Sequence, residues 1–328
     1  MPANRTSLVA DVGGTNTRVA LADGAAIRKG SIRRYPNADF VARGLGLDAV
    51  LAQFVHDMAV VDCAAAAVAV AGPVKDGVGE LTNLAWGMDR ATLARVTGAE
   101  RAEVLNDLQA QGHALDALAP GSVRAVLTGR PAEPQATRLV IGAGTGFNAA
   151  PVFRTASGTI VPPAEAGHVS LPVRGDDDAR LCRFLEAEVA EAAGFGSVEE
   201  VLSGRGLEHV YMWLGSEAHD PVKKTAKEIM AALADGSDTR AEATARVYVR
   251  MLGNVAGNLA LTLLPYGGIY LIGGVVRSML PWLEPFGFAQ AFCDKGRFDE
   301  FLTQFPVSVV EDDYAALTGC ASFLDGLG

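Results

Sequence analysis

The chain has 328 residues, of which 49% are hydrophobic, with 37 glycines, 4 cysteines and a formal net charge of −10. That length suggests about two ordinary domains, and the hydrophobic share excludes a disordered chain. With 38 Asp and Glu against 28 Lys and Arg, the basic face of a nucleic-acid-binding protein is not expected. Cys63, Cys182, Cys293 and Cys320 are scattered, without a CxxC or a Cys/His cluster. This argues against a disulfide scaffold or a structural zinc site and fits a reducing cytoplasm. Met1–Leu8 has one Arg and no apolar core, so no signal peptide is expected there.

In chain order, Ser7–Ala10 and Arg18–Leu21 are apolar runs across Gly13-Gly14-Thr15, which predicts a β-hairpin rather than a strand-to-helix crossover. Ala64–Ala71 reads as a buried strand, Asp89–Val96 as a short helix, Glu103–Leu105 as a strand stopping at Asn106–Asp107, and Gln109–Leu118 as a helix. The pattern then restarts: Arg138–Ile141 is a strand, Gly142, Gly144, Thr145 and Gly146 make a turn, and Phe147–Val152 returns. Two such turns at the starts of similar segments suggest two related α/β halves facing a cleft. Helical spacing follows over Leu181–Leu202 and over Ala226–Leu264 with a break at Asp235–Asp238. Strands are expected at Ile269–Ile272 and Val307–Val310, and a last helix at about Tyr314–Leu324. The uncharged run Leu259–Val276 has the length of a membrane span, but Pro265, Gly267 and Gly268 interrupt it. It reads instead as a helix end, a turn and a buried strand.

The glycine turns match neither common nucleotide motif. At Gly142 the GxGxxG pattern fails because Phe147 occupies its third glycine position, and GxxxxGK[ST] does not occur. Paired hairpin turns can cradle an anion through backbone N–H groups. Asp11 beside phosphates implies Mg²⁺, held through water. Each turn alone reads equally well as an ordinary hairpin; the pair favours a phosphate site. Asn106–Asp107 at a strand end suits a general base with an amide that orients the attacking hydroxyl. Its alternative is an Asx cap on the following helix. Glu165-Ala-Gly-His168 suits hydrogen bonding to a polyol, and no second His or Cys is spaced to make His168 a metal ligand. His56, His113, His209 and His219 read as structural or surface residues. Glu188 lies in an acidic helix, and spacing does not select it over Glu186 or Glu191.

Several motifs occur in a fixed order: Asp11-Val-Gly-Gly-Thr-Asn-Thr-Arg, Asn106-Asp107, Gly142-Ala-Gly-Thr-Gly, Glu165-Ala-Gly-His168, Val201-Leu-Ser-Gly, Gly253-Asn-Val-Ala-Gly-Asn-Leu-Ala-Leu, Ile272-Gly-Gly-Val-Val and Asp294-Lys-Gly-Arg-Phe. Together they resemble the bacterial glucokinase family, the type without the cysteine-rich zinc motif of the repressor/kinase (ROK) relatives. The resemblance spans nearly the whole chain. It implies an actin-like (ribonuclease H-like) duplicated two-domain α/β ATPase fold with an interdomain cleft. The expected division is a small α/β domain over 1–110, completed by a C-terminal helix at about 312–328, and a large α/β domain over 111–311.

The resemblance also implies ATP-dependent phosphorylation of the glucose 6-hydroxyl. Asp107 would be the base, with Asn106, Glu165, His168 and Glu188 on the sugar hydroxyls. Asp11, Gly13, Gly14, Thr15, Asn16, Gly144, Thr145 and Gly146 would hold the phosphates, with Asp11 on Mg²⁺ through water, and Gly273 and Gly274 would lie against the adenosine. A homodimer is implied as well; no nucleic-acid or membrane partner is expected. The chain departs from the family pattern at Phe147–Asn148 (usually Leu-Gly), at Ala166 (usually Gly), in a longer segment Val189–Glu200, and at Tyr314-Ala-Ala-Leu (usually Pro-Gly-Leu-Leu). None of these removes a proposed catalytic group. The alternatives are a kinase for mannose or an N-acetylated hexose, and a sugar-responsive regulator. The regulator is disfavoured by the acidic charge and by the six residues that precede Ser7, where a DNA-binding module would be expected.

Overall fold

The computed structural model describes residues 6–81 and 84–327. Of the Met1–Leu8 segment, Met1–Arg5 lie outside the described residues. The chain forms two compact units. The first comprises Met1–Ser122, Arg154–Pro163 and Asp312–Gly328, and the second Val123–Phe153 and Ala164–Glu311.

The first unit begins with the expected antiparallel hairpin, β1 (Thr6–Val12) and β2 (Asn16–Asp23), with Asp11 opposite Arg18. β3 (Ala26–Ile27) and β4 (Arg33–Pro36) pair with β2. Then come α1 (Asn37–Val41), α2 (Leu47–Asp57) and β5 (Ala65–Val70), which runs parallel to β1. A small sheet of β6 (Val74–Lys75), β7 (Val78–Glu80) and β8 (Gly87–Asp89) leads to α3 (Arg90–Thr97), whose first turn is capped by Asp89. β9 (Arg101–Asn106) pairs parallel to β5, and α4 (Asp107–Ala114) follows without a gap. The helix expected over Gln109–Leu118 therefore starts two residues earlier and stops four residues sooner. Its start is fixed by a capping box: Leu108 N–H donates to Asn106 Oδ1 at 3.0 Å, and Asn106 N–H donates to Gln109 Oε1 at 3.1 Å.

The second unit repeats the plan. β10 (Val123–Leu127) comes first, then the antiparallel hairpin β11 (Arg138–Ala143) and β12 (Phe147–Thr155); the last residues of β12 and the short strand β13 (Gly158–Ile160) fall in the Arg154–Pro163 stretch counted with the first unit. α5 (Asp176–Glu188), α6 (Glu199–Leu202), α7 (Gly204–Glu217), α8 (Ala226–Asp235) and α9 (Thr239–Leu263) precede β14 (Ile269–Ile272). α10 (Gly274–Leu283), α11 (Phe288–Cys293), α12 (Asp299–Leu302) and β15 (Val307–Val310) complete it. The helix expected over Leu181–Leu202 is interrupted after Glu188. Ala193 and Gly194 both take positive φ, 48° and 80°, which no α-helix accommodates. β14 is parallel to both β11 and β15, so each unit contains a hairpin followed by two parallel strands. Leu259–Val276 is a helix end, a turn and a strand as expected, and no helix among the described residues is long and apolar enough to cross a membrane. The final helix, α13 (Ala315–Gly326), belongs to the first unit.

Strand alternation sorts the first core into two faces. Leu8, Ala10 and Val12 pack with Phe54 of α2 and Leu93 of α3. On the other face Val9, Ala65, Ala67 and Ala69 pack with Ala110 of α4 and with Leu317, Cys320 and Ala321 of α13. Small side chains on that face let the helices come close: a Cβ at Gly319 would lie 1.7 Å from the Ala110 carbonyl oxygen. In the second unit α9 is central, and its Tyr248 is fully buried.

Two outcomes follow from this packing. Gly319→Ala is expected to destabilise the protein by about 1–3 kcal/mol, because backbone must give way; a denaturant titration measures it. His113 of α4 sits with its ring 4.9 Å from that of Phe323, and burial lowers its pKa from 6.5 to about 4. The folded state thus favours neutral His113, and that contribution is complete above pH 6.5 and lost as pH falls toward 4. Denaturation midpoints between pH 7 and 5 should fall more steeply in the wild type than in His113→Gln.

Candidate active site

In the first unit, Val12 of β1 aligns with Val70 of β5, and Val70 with Asn106 of β9. Three parallel strands therefore end level, and ligand sites of α/β sheets lie beyond such carboxyl ends. The Gly13–Thr15 turn follows β1 and is braced by Asn37, whose Nδ2 donates to Gly13 O at 2.7 Å and whose N–H donates to Thr15 O at 2.9 Å. Asn16 Oδ1 accepts from Arg34 Nε at 2.9 Å. Beside the turn, Arg18 Nη1 donates to Asp11 Oδ2 at 2.9 Å. Burial pushes the Asp11 carboxyl above the usual range, against the pull of Arg18.

Asn106 is both a cap and a tie. While Oδ1 holds the start of α4, Nδ2 donates to Gly72 O, just past the end of β5, at 2.9 Å. The cap that the sequence offered as an alternative is real, and it leaves one amide hydrogen of Asn106 beyond the Gly72 bond. Asp107 is the first helical residue and is half-buried.

In the second unit the Gly144–Gly146 turn is closed by Gly144 N–H to Gly146 O at 2.9 Å. Two helices begin against it. Gly204 N–H, opening α7, donates to Gly144 O at 2.8 Å, and Ser203 caps that helix. At the start of α10, Gly273 has φ +117°, and a Cβ there would lie 2.2 Å from Ala143 O. Helix N-termini favour anions, so the turn with α7 and α10 has the chemistry of a phosphate site.

Glu165 precedes a single 3-10 turn, Ala166–His168, and His168 ends it; both are exposed, with carboxylate and imidazole 4.0 Å apart. Glu199 of α6 lies against Gly167, which stands between them in the chain. Its Oε2 accepts from Phe147 N–H at 2.8 Å, and its Oε1 lies 3.3 Å from Arg205 Nη2. A Cβ at Gly146 would lie 2.7 Å from Glu199 Oε2, and one at Gly167 3.4 Å from Glu199 Cβ. Behind it Glu200 and His209 form a buried pair at 3.1 Å, and the imidazole holds the Glu200 carboxyl below its usual range against the opposing effect of burial. Glu188, the last residue of α5, instead lines a cavity of about 500 Å³ with Arg205, Lys223, Lys224 and Glu228. Spacing did not single out Glu199, which stands two residues before the Val201-Leu-Ser-Gly motif.

A family model of glucokinase matches residues 8–327. The chain belongs to the glucokinase family. A glucokinase of Brucella abortus biovar 1 (strain 9-941) is 32% identical over 317 residues, covering 96% of this chain and 90% of its own. One of Marinobacter nauticus (strain ATCC 700491 / DSM 11845 / VT8) is 32% identical over 330 residues, 99% of this chain and 98% of its own. The crystal structure of a glucokinase from an Antarctic psychrotroph aligns over 98% of both chains at 31% identity, with a TM-score of 0.82. The fold is thus the hexokinase-like ATPase fold that the sequence motifs implied.

The chain therefore needs an ATP site, and the glycine-lined turn of the second unit carries a test. Gly273→Ala adds a Cβ 2.2 Å from Ala143 O at a positive φ. It should cost about 1–3 kcal/mol of stability and weaken ATP binding, as read by denaturation and by nucleotide titration.

Proposed function

We propose that Asp107 is the catalytic base and that Asn106 holds the sugar beside it. As a glucokinase-family enzyme the chain phosphorylates glucose with ATP, giving glucose 6-phosphate and ADP. One observation supports Asp107 above any other carboxylate. It opens a capped helix that starts level with the ends of three parallel strands, a position that backbone bonds and the Asn106–Gly72 tie hold fixed. Phosphoryl transfer asks a protein chiefly for positioning and charge stabilisation. As the 6-hydroxyl oxygen attacks the γ-phosphorus, its proton passes to the Asp107 carboxylate, and the bond to the bridging oxygen breaks to release ADP.

Asn106 offers the sugar its remaining amide hydrogen. Glu165 and His168 hold further hydroxyls, and Glu199 joins them in the place that the family resemblance gave to Glu188. The support for Glu199 is its contact with Phe147 N–H and its packing beside Gly167, whereas Glu188 lines the cavity with Lys223 and Lys224. Gly13, Gly14, Thr15, Asn16, Gly144, Thr145 and Gly146 serve the phosphates, with Gly273 and Gly274 against the adenosine.

Asp11 suits Mg²⁺ held through water. Among the described residues no three His, Cys, Asp or Glu side chains gather as a cage, and Mg²⁺ commonly takes one carboxylate, waters and substrate phosphates. When bound it would neutralise charge on the phosphates, while Arg18 keeps the Asp11 carboxylate oriented. Four free thiols suit the cytoplasm, and a homodimer is the assembly that the family resemblance suggests.

Asp107→Asn tests the assignment. Loss of a general base should lower kcat by about 10²–10⁴-fold, while calorimetry shows glucose affinity little changed. Turnover near the wild-type rate would remove Asp107 from the mechanism.

A further inference from the structure

We propose that Asn148 is a positioning residue that sets the Glu165 carboxylate for the sugar; this rests on the reading of Glu165 above. Asn148 is the second residue of β12, opposite Gly142 of β11. Its Nδ2 donates to Ala164 O at 2.5 Å, and its Oδ1 accepts from Ala166 N–H at 2.9 Å. A carbonyl only accepts and a backbone N–H only donates, so the orientation of the amide is determined by its partners. One side chain thus grips the peptide groups on both sides of Glu165.

Glu165 needs such a grip. Its backbone, at φ −128° and ψ 54°, lies in no regular helix or strand, and its side chain is 54% exposed. Among the described residues its one ion-pair contact is with the exposed His168 imidazole at 4.0 Å, and pairs of this kind in water orient little. The point from which the side chain reaches out is therefore set by the backbone, and the Asn148 amide holds that backbone at Ala164 and Ala166. The residue before it acts on the other acid: Phe147 N–H holds Glu199 Oε2 at 2.8 Å. Gly167 comes so close that a Cβ there would lie 2.0 Å from Phe147 O. Two consecutive residues, directly after the Gly144–Gly146 turn, thus set both acids proposed to meet the sugar. Phe147 acts through its main chain and Asn148 through its side chain, so only the second contribution depends on residue type. Asn148 is half-buried and absent from the apolar core, so its removal leaves the packing of the unit in place.

The test compares the full-length wild type with Asn148→Ala and Asn148→Asp. The Ala variant loses both bonds, together with the local one from Ala149 N–H to Asn148 Oδ1 at 2.8 Å. The Asp variant keeps an acceptor for Ala166 N–H but sets a second oxygen against Ala164 O. Two neutral hydrogen bonds correspond to about a tenfold change in what they hold. The KM for glucose should rise about tenfold in Asn148→Ala and at least as much in Asn148→Asp. The KM for ATP should stay within about twofold and Tm near the wild-type value, and amide exchange at Ala166 should be about tenfold faster. An unchanged glucose KM overturns the proposal even if exchange is faster, since Glu165 would then be set by another group. A parallel rise in both KM values with a lower Tm also overturns it, as that marks a purely structural role. Should the wild type fail to phosphorylate glucose, the reading of the site fails by itself. Exchange at Ala166 then decides the clamp alone: faster exchange in Asn148→Ala supports it and unchanged exchange overturns it.

Discussion

The level ending of three parallel strands is the constraint on which the first unit depends. Val12, Val70 and Asn106 share one register, and a slip of one residue would turn every side chain to the opposite face. Asp11 would leave the turn and Asn106 would leave Gly72. The register is held by apolar alternation, with Leu8, Ala10 and Val12 buried on one face and Val9 on the other. The Asn106–Gly72 bond then ties β9 to the chain leaving β5. Only with that edge fixed can α4 begin at Asp107, and α13 keeps it there by approaching closely enough that Gly319 has no room for a side chain.

The second unit applies the same plan to a different task. Its hairpin and two parallel strands end in glycine-lined backbone, and α7 and α10 both begin at the Gly144–Gly146 turn. If this turn takes the phosphates, as proposed, it explains how a chain of net charge −10 can suit an anionic nucleotide. The favourable charge comes from oriented N–H groups at helix starts, which composition does not count. In the proposed site the acidic side chains serve the sugar hydroxyls, and main-chain N–H and amide groups meet that region: Phe147 N–H at Glu199 and the Asn148 amide at the peptide groups around Glu165.

Both hairpins were legible in the sequence because their signal is local, an apolar run on either side of a glycine turn. Ile269–Ile272 and Val307–Val310 were equally plain, as short apolar runs between turn residues, and the structure places strands over the same residues. The start of α4 was less so, because helical periodicity does not register a cap; Asn106 and Gln109 reveal it only as a spaced pair. The break after Glu188 was hidden because Val189 turns extended there and Ala193, a good helix former, adopts a positive φ. The surroundings of Glu199 were hidden for a different reason. Its neighbours Gly146, Phe147 and Gly167 stand between 32 and 53 positions away in the chain, and no periodicity reports a contact of that range. Phe147–Asn148 was legible only as a departure from a family pattern, and its physical role lies in hydrogen bonds to Glu199 and to the chain on either side of Glu165.

The claim that these residues form a glucose-phosphorylating site is tested most directly by the products of the wild-type enzyme. ³¹P NMR of a reaction containing Mg·ATP with equal amounts of glucose, mannose and N-acetylglucosamine resolves where the phosphoryl group goes. Glucose 6-phosphate is expected as the main sugar phosphate, with one ADP formed for each sugar phosphorylated. ADP with inorganic phosphate and no sugar phosphate, or a preference for either of the other hexoses, would contradict it.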